Sequence, residues 1–279
     1  MKLAVDHLTH YRYDHEVKFS TQYLRLTPQN TARQRIMEWS LNLPEQATQV
    51  IDGFGNLQHV LTLDRPHEVI AIRAKGVVEI ADNSEEIMEE CGPLSPLVFL
   101  RPSPLTRADE AIRTFAARYY RAAAADESLR ELMAELRERM PYTPGATQVQ
   151  DSAAKVFAAQ HGVCQDHSHV FLACCRSLHI PARYVSGYIY SEDTKHVAMH
   201  AWVEVWLNEH WQSFDITNNT CNPSQHLKLA VGFDYLDACP VRGSRIGGGY
   251  EEMFSEATVE QTEGSRPPGK ESQAGAQQQ

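Results

Sequence analysis

Four prolines within twelve residues, Pro93, Pro96, Pro102 and Pro104, constrain this chain more than any other feature. Proline has no backbone N–H to give to a helix or a ladder, and it biases the residue before it away from helix. No regular element can run through 93–104, so the chain is expected to divide there. On the N-terminal side the sequence reads as strands. On the C-terminal side it first reads as helices.

Residues 1–85 are expected to form a β-rich domain. Residues 11–17, 22–26, 36–43 and 69–80 are rich in β-branched and aromatic side chains. The turn signals Thr27-Pro28-Gln29-Asn30 and Asp52-Gly53-Phe54-Gly55-Asn56 lie between them. Short strands at this spacing predict a small β-sandwich. Residues 86–150 read as a linker and a helical connection. Residues 107–124 and 127–140 are filled with Ala, Leu, Glu and Arg, and Pro141-Tyr142-Thr143-Pro144-Gly145 stops the second helix. Residues 151–250 mix both patterns. Helices are predicted over 152–160 and 164–178, then strands over 182–190, 198–207 and 211–216, which makes the class α+β. Residues 251–279 turn polar from Ser255 onward and are predicted to be a disordered tail.

The formal charge of -10 argues against non-specific binding to nucleic acid or to an anionic membrane. The opening stretch MKLAVDHLTHYRYDHEV lacks the apolar core of a secretory signal, and no run of 18 apolar residues suggests a membrane span, so the cytoplasm is the expected compartment. Of the six cysteines, Cys91, Cys164, Cys174, Cys175, Cys221 and Cys239, none forms a C-x-x-C pair. Free thiols are expected, with no disulfide framework, no structural zinc and no organic cofactor.

Cys164 is the thiol set apart by position. It follows the break His161-Gly162-Val163 and opens a helix. The unpaired N–H groups of a first helical turn favour a thiolate and can serve as oxyanion donors. A histidine partner must be held by a third group. His200 opens a run in which Ala201, Val203, Val205 and Leu207 line one face while His200, Trp202, Glu204 and Trp206 line the other. In the next run Trp211, Ser213 and Asp215 share a face. A two-residue loop, Asn208-Glu209, would set Trp202 opposite Asp215 and leave His200 as its diagonal neighbour, roughly 7–8 Å away at Cα. A simple three-residue loop would put the two on opposite faces, so the pairing predicts an even loop or a bulge.

The stretch from His161-Gly162-Val163-Cys164-Gln165-Asp166-His167-Ser168-His169 to Ile180-Pro181-Ala182-Arg183-Tyr184 resembles the nucleophile helix and following strand of the bacterial transglutaminase-like superfamily. Met199-His200-Ala201-Trp202-Val203-Glu204-Val205 resembles its histidine block. Phe214-Asp215-Ile216-Thr217-Asn218 resembles its aspartate block, with Ile216 where proline is usual. Leu24-Arg25-Leu26-Thr27-Pro28 and the Asp52–Asn56 turn resemble the β-rich N-terminal region that accompanies such cores. The resemblance implies a papain-like α+β core and a Cys164–His200–Asp215 triad. It also implies a cysteine protease or amidohydrolase working through a thioester on a peptide or protein amide. A transamidating acyltransferase and a silent binding module on the same fold stay open as alternatives.

A metal site at Cys164, His167 and His169 is not expected, because 169 points about 200° around the helix from 167. Asp166 is read as structural, Cys174 and Cys175 as core. Tyr142, Trp202 and Gln160 are candidates to bind substrate or oxyanion that the sequence does not place.

Overall fold

The computed structural model describes residues 1–81, 92–192, 196, 197 and 199–262. The first strands are β1 (Lys2–Leu24), β2 (Gln34–Asn42), β3 (Thr48–Ile51), β4 (Leu57–Leu63) and β5 (His67–Ile80). Four helices follow: α1 (Glu110–Tyr119), α2 (Ala125–Arg139), α3 (Ala153–Ala159) and α4 (Cys164–Ser177). Then come β6 (Ala182–Ile189), β7 (His196–Val197), β8 (His200–Leu207), β9 (His210–Phe214), β10 (His226–Gly232), the short helix α5 (Tyr235–Ala238), β11 (Val241–Gly247) and β12 (Glu251–Gln261).

One strand organises the N-terminal half. Residues 11–17 and 22–26, read from sequence as separate strands, belong largely to the single 23-residue β1. Along its first half Leu3, Val5, His7, Thr9, Tyr11 and Tyr13 are buried, every second residue. The register then shifts between Val17 and Phe19, and burial passes to Ser20, Gln22 and Leu24. An extra residue at a bulge flips the faces of everything after it. The first half of β1 lies between β5 and β12, the second between β4 and β11.

β11 and β12 correct two expectations. The tail predicted from 251 is, over Glu251–Gln261, a strand paired with β1 from Tyr13 back to Leu3. Only Ala257 and Val259 in it are buried, so hydrophobic alternation gave little signal; the pairing with β1 orders it. Residues 263–279 of that expected tail lie outside the described residues. The N-terminal domain is likewise not closed at 85, because the chain returns to complete its sheet with residues 241–261.

The second sheet has the order β10-β6-β8-β9, all antiparallel, with α4 against one face. Ala201, Val203 and Val205 of β8 share a core with Val170, Phe171 and Cys174 of α4. Ile112, Ala116, Leu129, Leu132 and Leu136 belong to that same core. The helices expected to be a connection up to 150 therefore share the core of the second sheet, and that unit reaches back to α1. At the far end of the sheet Tyr188, Leu227 and Leu229 pack with Leu3, Val5 and Ile72 of the β-rich half. No helix among the described residues is long and apolar enough to cross a membrane.

Candidate active site

The turn ahead of Cys164 is built by a carboxylate. Asp166 is buried, and its Oδ2 accepts the Val163 N–H at 2.8 Å and the Thr147 hydroxyl at 2.6 Å. Burial raises its pKa against those two bonds. A Cβ on Gly162 would meet the Asp166 Cβ at 2.6 Å, so only glycine lets the chain turn this closely ahead of Cys164. Asp166 thus has the structural role read from the sequence. Cys164 is the first residue of α4 and is partly exposed.

The β8–β9 connection is the two-residue loop. Leu207 pairs with His210, and Asn208 and Glu209 have φ of 50° and 66°. Two consecutive positive φ values are the mark of a type I′ hairpin. The ladder runs through Trp206–Trp211 and Glu204–Ser213 to Val203–Phe214, which leaves Asp215 next in line. His200 Nε2 lies 2.8 Å from Asp215 Oδ2. Asp215 sits in a tight turn closed by its own N–H to the Thr220 carbonyl at 2.8 Å and the return bond at 3.1 Å. Ile216, standing where proline is usual in the resembling block, is buried in the helical core. That packing and the Asp215–Thr220 pair hold the turn without proline.

Cys164 is the other group that acts on the His200 charge. Because Asp215 takes Nε2, the ring nitrogen left for the thiol is Nδ1. Burial disfavours the imidazolium, but the Asp215 charge and its hydrogen bond, with Cys164, outweigh this and raise the His200 pKa to about 10. For Asp215, burial works upward, while His200 and then His226 draw the carboxyl well below the ordinary range. Cys174 and Cys175 differ from Cys164: both are fully buried, and burial pushes the Cys175 thiol up to about 12 and the Cys174 thiol well above its usual value. Cys91 lies outside the described residues.

Two groups that sequence reasoning missed complete the cluster. Asn218 Nδ2 donates to Asp215 Oδ2 at 2.7 Å and its backbone N–H to Oδ1 at 3.1 Å. His226, the first residue of β10, has Nε2 at 2.8 Å from the same Oδ2. Asn218 was within the aspartate block and could have been found there. His226 had no such signal, because β10 reaches the site by pairing with β6 and not with β9. The donor atoms of His200, Asp215 and His226 lie within 4.8 Å of one another, close enough to share a cation, although here each histidine is already joined to the carboxylate.

The helix histidines point elsewhere. His167 has Nδ1 at 2.9 Å from the Thr217 hydroxyl and Nε2 at 2.8 Å from the Met140 carbonyl. A carbonyl only accepts, so Nε2 carries the proton and Thr217 donates to Nδ1. Burial lowers the His167 pKa to about 4. This neutral ring ties α4 to the turn that holds Asp215. His169 Nε2 accepts the Tyr235 N–H at 3.1 Å. Tyr142 is half exposed and bridges Gly162 just ahead of Cys164, and Trp202 is buried beside His200. Gln160 ends α3 in a left-handed turn.

Residues 113–216 match the transglutaminase-like superfamily core, and residues 3–79 match the bacterial transglutaminase-like N-terminal region. Both matched stretches are thus similar to transglutaminase-like families. The chain is 28% identical over 272 residues to an uncharacterised protein of Mycobacterium tuberculosis, covering 87% of each. It is 28% identical to one of Mycobacterium leprae, covering 90% of this chain and 96% of the relative. Its fold matches the "Putative Cysteine Protease" of Cytophaga hutchinsonii with a TM-score of 0.75, at 22% identity over 95% of this chain and 92% of that one. The transglutaminase-like fold is therefore α+β, a papain-like core with a β-rich N-terminal region.

Proposed function

We propose that this protein is a cysteine-nucleophile amide or peptide hydrolase in which Cys164, His200 and Asp215 act as a triad. The observation that carries the reading is one buried imidazole, His200, held by a carboxylate at 2.8 Å on Nε2, with its charge further favoured by the helix-opening thiol of Cys164. A raised histidine pKa beside a thiol favours the thiolate–imidazolium pair, which is the attacking form.

The Cys164 thiolate adds to an amide carbonyl, and the first-turn N–H groups of α4 are suited to hold the oxyanion. The His200 imidazolium gives its proton to the departing amine as the C–N bond breaks, leaving a thioester. His200, now neutral, takes a proton from water, hydroxide adds to the thioester, and Cys164 leaves as thiolate with the acid as product. Asp215 keeps the productive tautomer throughout. Cys164 is partly exposed, so water can reach the thioester, which favours hydrolysis over transfer to an amine.

Intact-protein mass spectrometry after exposure to a panel of acyl amides, with and without millimolar lysine, tests this. An acyl adduct on Cys164 that turns over without amine is expected, and Cys164→Ala should remove it. Mostly transamidated product would replace the hydrolase with an acyltransferase. An unreactive Cys164 on every amide would leave a binding module.

A further inference from the structure

Three N–H groups converge on one oxygen, Asp215 Oδ2: those of His200 at 2.8 Å, His226 at 2.8 Å and Asn218 at 2.7 Å. The second histidine has no place in the mechanism above. We propose that His226 is a positioning residue, whose Nε2–H locks the Asp215 carboxylate in the orientation His200 needs. This deepens the hydrolase reading and rests on it.

The first argument is the way His226 uses its ring. A carboxylate only accepts, so the neutral form of His226 that bonds Asp215 carries its proton on Nε2. Nδ1 is then an acceptor, and it is buried without a hydrogen-bond partner among the described residues. The buried His167 satisfies both of its nitrogens, with Thr217 and Met140. His226 leaves one unmet, and a buried unmet polar atom in a folded core calls for a reason. Its bond to Asp215 is that reason: it is the polar contact that fixes the ring.

The second argument is how the two histidines meet. His200 stands on β8 opposite Gly187 of β6, and His226 starts β10 on the far side of β6. Strands two apart in a sheet are separated by roughly 9–10 Å. Yet the two rings are 5.8 Å apart between centroids. They lean toward each other over β6, where Trp202 packs down on Gly187. A Cβ there would lie 2.8 Å from the Trp202 ring and 2.1 Å from the Leu227 carbonyl oxygen. Trp202 fills the gap, stacked at 22° on His200 and edge-on to His226 at 4.9 Å. Glycine, tryptophan and His226 together form a seat for one carboxylate.

The titratable groups that face this cluster are Cys164 and His167 from α4, Asp215 from the turn after β9, and His200 and His226 from the strands. Farther along the same face, Lys228 is held by Glu204. A donor on Asp215 Oδ2 draws charge from the carboxylate and fixes its rotation. Losing that donor lets the carboxylate turn, which slows the reaction. It also concentrates the charge on the His200 side, which stabilises imidazolium.

The test uses His226→Gln, which keeps an N–H near Nε2, and His226→Met, which fills the space without one. Two quantities are read against pH: kcat, and the rate at which iodoacetamide alkylates Cys164. His226→Met is expected to lower kcat roughly 10- to 100-fold, the range for a lost hydrogen bond to a charged group, and to move the alkaline limb of alkylation upward. His226→Gln should restore both. A folded His226→Met with unchanged kcat and pH profile would overturn the proposal, as would a His226→Gln as defective as His226→Met. If His226→Met does not fold, nitrogen-15 histidine spectra of the unsubstituted protein decide. The Nε2–H tautomer is expected at His226, and Nδ1–H would overturn the bond to Asp215. An alkylation-inert Cys164 in the unsubstituted protein would break the hydrolase reading instead, and the tautomer would then judge His226 on its own.

Discussion

Two buried carboxylates sit within reach of one face of β8, and they have opposite company. At the start of the strand His200 binds Asp215, which also takes His226 and Asn218. Four residues on, Glu204 accepts Arg183 at 2.6 Å and Lys228 at 2.7 Å. Trp202 stands between them, and both carboxylates are about equally buried, at 1% and 2% exposure. Both are kept ionised against the cost of burial. The difference is in the cations. Arginine and lysine keep their charge across the working pH range, and the guanidinium of Arg183 is further pinned 4.1 Å over the Trp211 ring. Imidazole can give its proton away. A thiol also adjoins His200, whereas Glu204 is held between two fixed charges. Equal burial beside one strand thus yields a clamp at one end and, on the proposed reading, a proton-transfer site at the other.

The largest effect expected from this contrast is on catalysis. Asp215→Asn should lower kcat by ~10⁴-fold, because an amide N–H facing Nε2 favours the wrong imidazole tautomer. The assay is single-turnover acylation of Cys164; a loss under about tenfold would remove Asp215 from the triad. Next in size is Glu204→Gln. It takes away the carboxylate shared by two largely buried cations, which should cost about 3–5 kcal/mol of stability. Urea unfolding measures this, and kcat of the folded variant should match the parent. If Glu204→Gln destroyed turnover while leaving stability intact, the division into clamp and proton-transfer site would fail.

How much of this was legible depends on the range of the contacts. The His200–Asp215 pair was readable because a hairpin is local. An even loop fixes parity, and Asn208-Glu209 supplied it. Cys164 was readable because a glycine break ahead of a helix is local too. His226 was not, since β10 lies beside β6 with some forty residues of chain between them, and alternation in a strand does not name its neighbour. β12 escaped for the same reason. Its order comes from backbone pairing with the far end of the chain. The bulge in β1 hid a single strand behind two hydrophobic runs. In the expected linker Pro96 and Pro104 open two short 3-10 turns, Pro96–Leu100 and Pro104–Thr106, and the helices after them carry core residues such as Leu129 and Leu132, which local composition does not reveal.

The smallest effects are in pH, and there the two clusters should part in sign. Burial raises the Glu204 carboxyl, but Arg183 and Lys228 outweigh it and bring its pKa from 4.5 to about 2. A lowered acid contributes stability that is present above 4.5 and is lost as pH falls through about 2. Glu204→Gln should therefore flatten the acid side of a plot of melting temperature against pH. His200 runs the other way. Its pKa is raised from 6.5 to about 10, so its contribution is complete below 6.5 and is lost as pH rises through about 10. The thiolate–imidazolium pair shares that upper limit, so alkylation of Cys164 should show an alkaline limb near it. Asp215→Asn deletes the charge that raises His200, and the limb should move down toward 6.5. Glu204→Gln should leave the limb where it was. Alkylation rates from pH 5 to 11 on the parent and both variants decide the matter. A limb that ignores Asp215→Asn, or follows Glu204→Gln, would mean that the proton-transfer site and the clamp are one electrostatic unit.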